Sequence, residues 1–117
     1  MTKIEIAEAF SHGKFDKIIE FITDEATWEV VEESKFVGKK AIIENCNQVS
    51  TYFKSVETDF KTLNIITQDN KVVVMGTAKF LRNNKQISFV SACDIYEFTD
   101  NNKILKITSY CIQANEA

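Results

Sequence analysis

The sequence predicts an α+β protein: three N-terminal helices packed on a strongly curved, mostly antiparallel sheet, forming a cone with an internal cavity. Three observations lead there. Helical spacing of apolar residues marks three segments before position 57, and period-two alternation takes over afterwards. Helices followed by a run of hairpin strands favour α+β layers over alternating βαβ units. The chain has no proline, which fits long uninterrupted strands. At 117 residues, 44% apolar and 26% charged, the composition is that of one globular domain spanning 1–117.

Thr2-Lys3-Ile4-Glu5 has the spacing of a capping box, in which the Thr2 hydroxyl accepts an orphan N–H and Glu5 reaches back. The helix it opens carries Ile6, Ala9 and Phe10 on one face and stops at Gly13 in the left-handed C′ position. Ile18, Ile19 and Ile22, with Phe21 widening the stripe, predict a second helix over 15–23. The β-branched and aromatic run Ala26-Thr27-Trp28-Glu29-Val30-Val31 predicts the first strand. The strongest helical signal spans 39–55, where Ile42, Cys46, Val49, Phe53 and Val56 recur at steps of four and three.

Four strands follow, over 60–67, 71–82, 85–98 and 103–113, separated by Gln68-Asp69-Asn70, Asn83-Asn84 and Asp100-Asn101-Asn102. The tail 114–117 is expected to fray. Strands this long must twist and curve. The 42–56 stripe then covers the concave face and leaves an apolar cavity. In the last strand Leu105, Ile107, Ser109 and Cys111 share one side. The facing of 71–82 stays open: a strict two-residue loop at Asn83-Asn84 puts Met75, Thr77 and Leu81 on the Asp94 side, whereas a bulge substitutes Val74, Ala78 and Phe80.

Charge and composition exclude several classes. Fourteen basic residues stand against 17 acidic, and Arg82 is the only arginine, so nucleic acid is not an expected partner. No apolar run approaches the roughly 20 residues of a membrane span, and 1–10 does not read as a secretory leader. Cys46, Cys93 and Cys111 have no metal-ligand spacing and His12 is the single histidine, so neither a metal nor a cofactor is expected. An odd cysteine count points to free thiols in a reducing, cytoplasmic setting, each a small buried hydrophobe rather than an activated nucleophile.

Three segments carry a family resemblance. The run from His12-Gly13-Lys14-Phe15 through Asp24-Glu25-Ala26-Thr27-Trp28 is similar to a helix-turn-helix entering a first strand. Gly38-Lys39-Lys40-Ala41-Ile42 resembles a Gly-x-x-Ala-Ile helix start, and Cys93-Asp94-Ile95-Tyr96-Glu97-Phe98 to Lys103-Ile104 resembles an Asp-x-aromatic-x-Phe hairpin. In this order they resemble the cystatin-like cone of nuclear transport factor 2-like, SnoaL-like and ketosteroid isomerase-like proteins. The resemblance implies a protonated aspartic acid at Asp94 that hydrogen-bonds a developing oxyanion. The positions matching that branch's general base and oxyanion-hole tyrosine hold Val30 and Ile6, which argues against steroid isomerisation. The fold alone does not assign an activity.

Asp94 interrupts an otherwise apolar or small strand, so it is the candidate catalytic group; facing the concavity, it would be desolvated and its pKa raised. The plainer alternative is a structural carboxyl paired with a buried donor. Candidate ligand-binding residues are Trp28, Ile42, Cys46, Val49, Phe53, Val90, Tyr96, Phe98, Ser109 and Cys111, each with a plain core role as its alternative. Tyr52 could tip its hydroxyl inward, His12 has the bland role of complementing a helix dipole, and Glu32 and Glu33 are solvated. The expected function is binding of a small apolar or carbonyl-bearing molecule anchored by Asp94. The alternatives are an acid/base isomerase, cyclase or dehydratase using Asp94, which needs a second titrating group, and a non-catalytic homodimeric interaction module. An apolar convex face, with Phe89, Ile95 and either Phe80 and Ala78 or their alternates, predicts a homodimer through the outer side of the sheet.

Overall fold

The first helix, α1 (Lys3–Ser11), begins where its capping box puts it. Glu5 N–H donates to the Thr2 hydroxyl at 3.1 Å, and Thr2 N–H donates to the Glu5 carboxylate at 2.9 Å. It buries Ile6, Ala7, Ala9 and Phe10, and the chain leaves it through Gly13 at φ +75°. A Cβ there would come 2.6 Å from the Phe53 ring, so the position requires glycine for its conformation and for its space.

This computed structural model describes residues 1–114; residues 115–117 of the expected frayed tail lie outside the described residues. Ala114 is tied down, its N–H donating to the Phe89 carbonyl at 2.8 Å. The expected second helix over 15–23 is replaced by two single-turn 3₁₀ segments, Phe15–Lys17 and Ile19–Phe21, so the chain has two α-helices rather than three. The β-branched Ile18, Ile19, Ile22 and Thr23 fit extended backbone at least as well as helix. Pairing decides the matter: β1 (Ile22–Val30) already starts at Ile22, opposite Ile104.

A further short strand, β2 (Ser34–Val37), was not legible in the sequence; it pairs antiparallel with β1, setting Phe36 opposite Trp28. Glu32, at φ +68°, closes the turn between them. Helix α2 (Lys39–Lys54) matches its predicted stripe and buries Ile42 and Cys46, with Val49 and Phe53 packed behind. Four long strands complete the fold: β3 (Glu57–Gln68), β4 (Lys71–Arg82), β5 (Lys85–Phe98) and β6 (Ile104–Gln113). The sheet order is β2-β1-β6-β5-β4-β3. Every pair is antiparallel except β1 with β6, which is parallel.

Register settles the open facing. Asn83 and Asn84 both take positive φ in a two-residue turn, and a bulge follows at once, leaving Ile87 as the extra residue between pairs Leu81–Gln86 and Phe80–Ser88. Val74, Ala78 and Phe80 therefore share the concave side with Asp94, while Val73, Met75 and Leu81 face outward. Further bulges at Leu63 and Leu105 bend the sheet around α1 and α2. At Gly76 a Cβ would overlap the Lys61 carbonyl oxygen of the bulged neighbouring strand. No helix among the described residues is long and apolar enough to cross a membrane.

Candidate functional site

The concave face divides along β5. At one end Tyr96 and Phe98 are sealed by Phe10, Trp28, Ile104 and Ile107, with Phe10 edge-on to Phe15, Trp28 and Tyr96 at ring separations of 5.1, 5.0 and 5.9 Å. Farther along the same strand the inward residues become Asp94 and Ala92, opposite Val74 and Gly76. These short side chains leave a cavity of about 40 Å³, bordered by Ser11, His12, Thr62, Val74, Gly76, Ala78, Ala92 and Asp94. Such a volume holds a few water molecules and is far below the roughly 300 Å³ and more of a drug-sized site.

Two hydrogen-bonded groups border this cavity. In the first, the Ser11 hydroxyl at the end of α1 donates to Asp94 Oδ2 at 2.8 Å and lies 2.6 Å from the Tyr96 hydroxyl. A serine has one proton to give. With Ser11 donating to the carboxylate, Tyr96 O–H donates to Ser11. Ser109, opposite Asp94 on β6, accepts from Trp28 Nε1 at 3.0 Å, and its own proton is left for Asp94. Burial pushes the Asp94 pKa up, and the Ser109 and Ser11 hydroxyls hold it partly back by stabilising the anion. Burial, reinforced by the Asp94 charge, raises Tyr96 well above the usual phenol range, so it stays a donor.

In the second group, Thr62 on β3 donates to Glu8 Oε2 at 2.7 Å, and His12 Nε2 lies 2.8 Å from the same hydroxyl oxygen. Because the threonine proton goes to the carboxylate, His12 donates through Nε2–H, the tautomer that leaves Nδ1 as the acceptor. The imidazole stacks on Phe60 at 5.8 Å. Beyond it Phe53, Phe60 and Phe80 interlock at 5.3 to 6.1 Å, with Tyr52 against Phe80 at 5.7 Å.

Of the residues singled out from sequence, Asp94 borders the cavity. Trp28, Ile42, Cys46, Tyr96 and Phe98 lie in the filled core, where Trp28 spends its N–H on Ser109 rather than on open space. Val49 and Phe53 pack behind that core, and Val90, Ser109 and Cys111 sit on the concave register with Asp94. Against the expectation that every cysteine is a buried hydrophobe, Cys46 is buried, Cys93 is half-buried and Cys111 is exposed near the strand's end; Tyr52 packs on Phe80. Val30 and Ile6 are ordinary packing residues. Burial raises the Cys46 thiol to about 12; Cys111 is exposed as a residue, but partial enclosure of its thiol and the Asp94 charge raise it to about 11, so neither is an activated nucleophile. Among the described residues no group of three or more His, Cys, Asp or Glu side chains is placed to hold a metal ion.

Ser11, Glu8 and Thr62 were not found from sequence, and His12 was found with a different role. Ser11 and Asp94 are 83 positions apart and His12 and Thr62 are 50 apart, so no local spacing announces either contact. The one available signal is the polar pair Ser11-His12 closing an otherwise apolar helix face just before a left-handed glycine.

A curved α+β cone with an acidic group facing a small interior cavity defines a recognisable class. The SnoaL-like domain profile matches residues 5–107, and the chain belongs to that family, within the nuclear transport factor 2-like superfamily. It is similar to a nuclear transport factor 2-like protein of unknown function from Cytophaga hutchinsonii, at 33% identity and a TM-score of 0.83, covering 93% of this chain and 95% of that one. Its fold also matches an LEH-like epoxide hydrolase from M. tuberculosis (18% identity, TM-score 0.71, 94% and 82% covered). A candidate SnoaL-like polyketide cyclase from Shewanella putrefaciens matches likewise (16%, 0.72, 93% and 88%). Comparison with curated proteins gives no match.

Proposed function

We propose that this SnoaL-like protein takes only the carbonyl end of a small molecule into the cavity and moves a proton on it by general acid–base catalysis. Asp94 is the acid and anchor, held by Ser11 and Ser109; His12, oriented through Thr62 and Glu8, is the base. The observation that carries this reading is that a half-buried carboxyl and an imidazole border the same small cavity. A carboxyl whose pKa burial raises supplies a proton donor, and an imidazole nitrogen not engaged by Thr62 supplies an acceptor. Isomerisation, cyclisation and dehydration all use such a pair. Deuterium exchange into pentane-2,4-dione, followed by proton NMR, tests it: the protein should accelerate exchange, and Asp94→Asn and His12→Gln should each lower that acceleration about 100-fold. Equal exchange by the protein and both variants contradicts the assignment.

We also propose a homodimer through the convex face of the sheet. Ile66, Tyr110 and Ile112 are 51, 47 and 70% exposed there, beside half-buried Val73, Met75, Cys93 and Ile95. This continuous apolar surface supports a second copy as its cover. Phe80 and Ala78, offered as one possible part of it from sequence, face inward instead. Sedimentation equilibrium should give a dimer, and a monomer contradicts it. The three free thiols support a reducing, cytoplasmic setting.

A further inference from the structure

A second concavity lies outside the cone, between the turn that follows α1 and the outer side of α2. It is an open groove of about 580 Å³, a volume in the range of small-molecule sites. One wall is the segment Gly13-Lys14-Phe15-Asp16-Lys17, and the other is Asn47, Ser50, Thr51, Phe53 and Lys54. Asn47, Ser50, Thr51 and Lys54 stand three or four residues apart along α2 and form one stripe beside the buried Ile42–Cys46 stripe, to which Phe53 belongs. The first set owes its geometry to the 3₁₀ turn that replaces the expected helix. Lys14 caps this turn, its carbonyl accepting from the Lys17 N–H at 3.3 Å, so both lysines border the groove from one short segment. Lys54 faces them from the last turn of α2.

Three lysines and one carboxylate, Asp16, border the groove in a chain whose net charge is −3; Glu5 and Glu8 lie in a neighbouring depression on the other side of Lys14 and Lys17. Between them the groove offers aromatic surface from half-buried Phe53 and the polar groups of Asn47, Ser50 and Thr51, while Phe15, also on its border, is buried against Phe10. Gly13, at φ +75° and without a Cβ, lets the backbone approach the Phe53 ring closely. Cations at the edges, a ring between them and hydroxyls alongside match a small organic anion with an apolar body. We propose that this groove is a binding site for an aromatic or aliphatic carboxylate, separate from the cone and independent of Asp94.

The probe is 1-naphthoate, with neutral 1-naphthamide as its matched control, titrated into the full chain while amide shifts are recorded by NMR. The site predicts saturable shifts at Gly13, Lys17, Ser50 and Lys54 with naphthoate. It predicts binding about tenfold weaker in the charge-reversed pair Lys14→Glu with Lys54→Glu, and unchanged binding in Asp94→Asn. Naphthamide should bind about tenfold more weakly than naphthoate. Absence of saturable shifts in these segments, equal binding of the amide, a change under about twofold in the charge-reversed pair, or loss of binding in Asp94→Asn would each overturn the proposal. Because Asp94→Asn abolishes only the cone chemistry, failure of the groove and failure of the acid–base reading give different results.

Discussion

β4 and β5 build two unlike regions from one pair of strands. Toward the Phe98 end their inward residues are Val72 and Tyr96, sealed by Phe10 and Trp28; two residues along they are Val74 and Asp94, then Gly76 and Ala92 around open space. The first region gains stability from aromatic close packing. The second gives up packing and buries a carboxyl, which destabilises the fold and leaves room for chemistry. Tyr96 belongs to both: its ring fills the core and its hydroxyl joins the Ser11–Asp94 chain. Rigid packing on one side is what holds the polar group on the other.

This contrast can be broken from either side. The largest effect is expected in the packed region. Phe10→Ala removes a ring that touches three other aromatics, and should cost about 3–5 kcal/mol in denaturant unfolding; a loss below about 1 kcal/mol would mean that this end is not tightly filled. Asp94→Asn should have a smaller effect of opposite sign at neutral pH. The folded pKa of Asp94 lies above its unfolded value because burial disfavours the charge. Protonation therefore favours the folded state. The contribution of Asp94 is fully present below the unfolded carboxyl pKa and is lost as pH rises through the folded one. The stability of the protein minus that of Asp94→Asn should fall over that window, and a difference that rises or stays flat would remove the buried-acid description.

Much of the scaffold was legible because its signals are local. Thr2 and Glu5 are three residues apart, Gly13 is one residue past the helix cap, and the α2 stripe repeats within a single helix. Asn83-Asn84 announced its turn, yet the facing of β4 hung on one unpaired residue, Ile87, which no alternation pattern reveals. The segment 15–23 departs from its predicted helix because isoleucines at helical spacing also suit extended backbone, and only the Ile22–Ile104 pairing decides between them. β2 is four mostly polar residues held by β1, with Phe36 against Trp28 at 5.5 Å, so its cause lies outside its own sequence. Asp94 stood out as a carboxyl in an apolar strand. Its partners did not, because Ser11 reaches it across the fold and His12 gains its role only when β3 brings Thr62 alongside.

The protonation state of the interior carboxyl is open to direct observation. Carbon-13 NMR titration of the Asp94 side-chain carboxyl should give a midpoint above the ordinary aspartate value of about 3.9, and Ser11→Ala, by deleting a donor to the anion, should move it higher still. A midpoint at or below the ordinary value in both proteins would contradict the account.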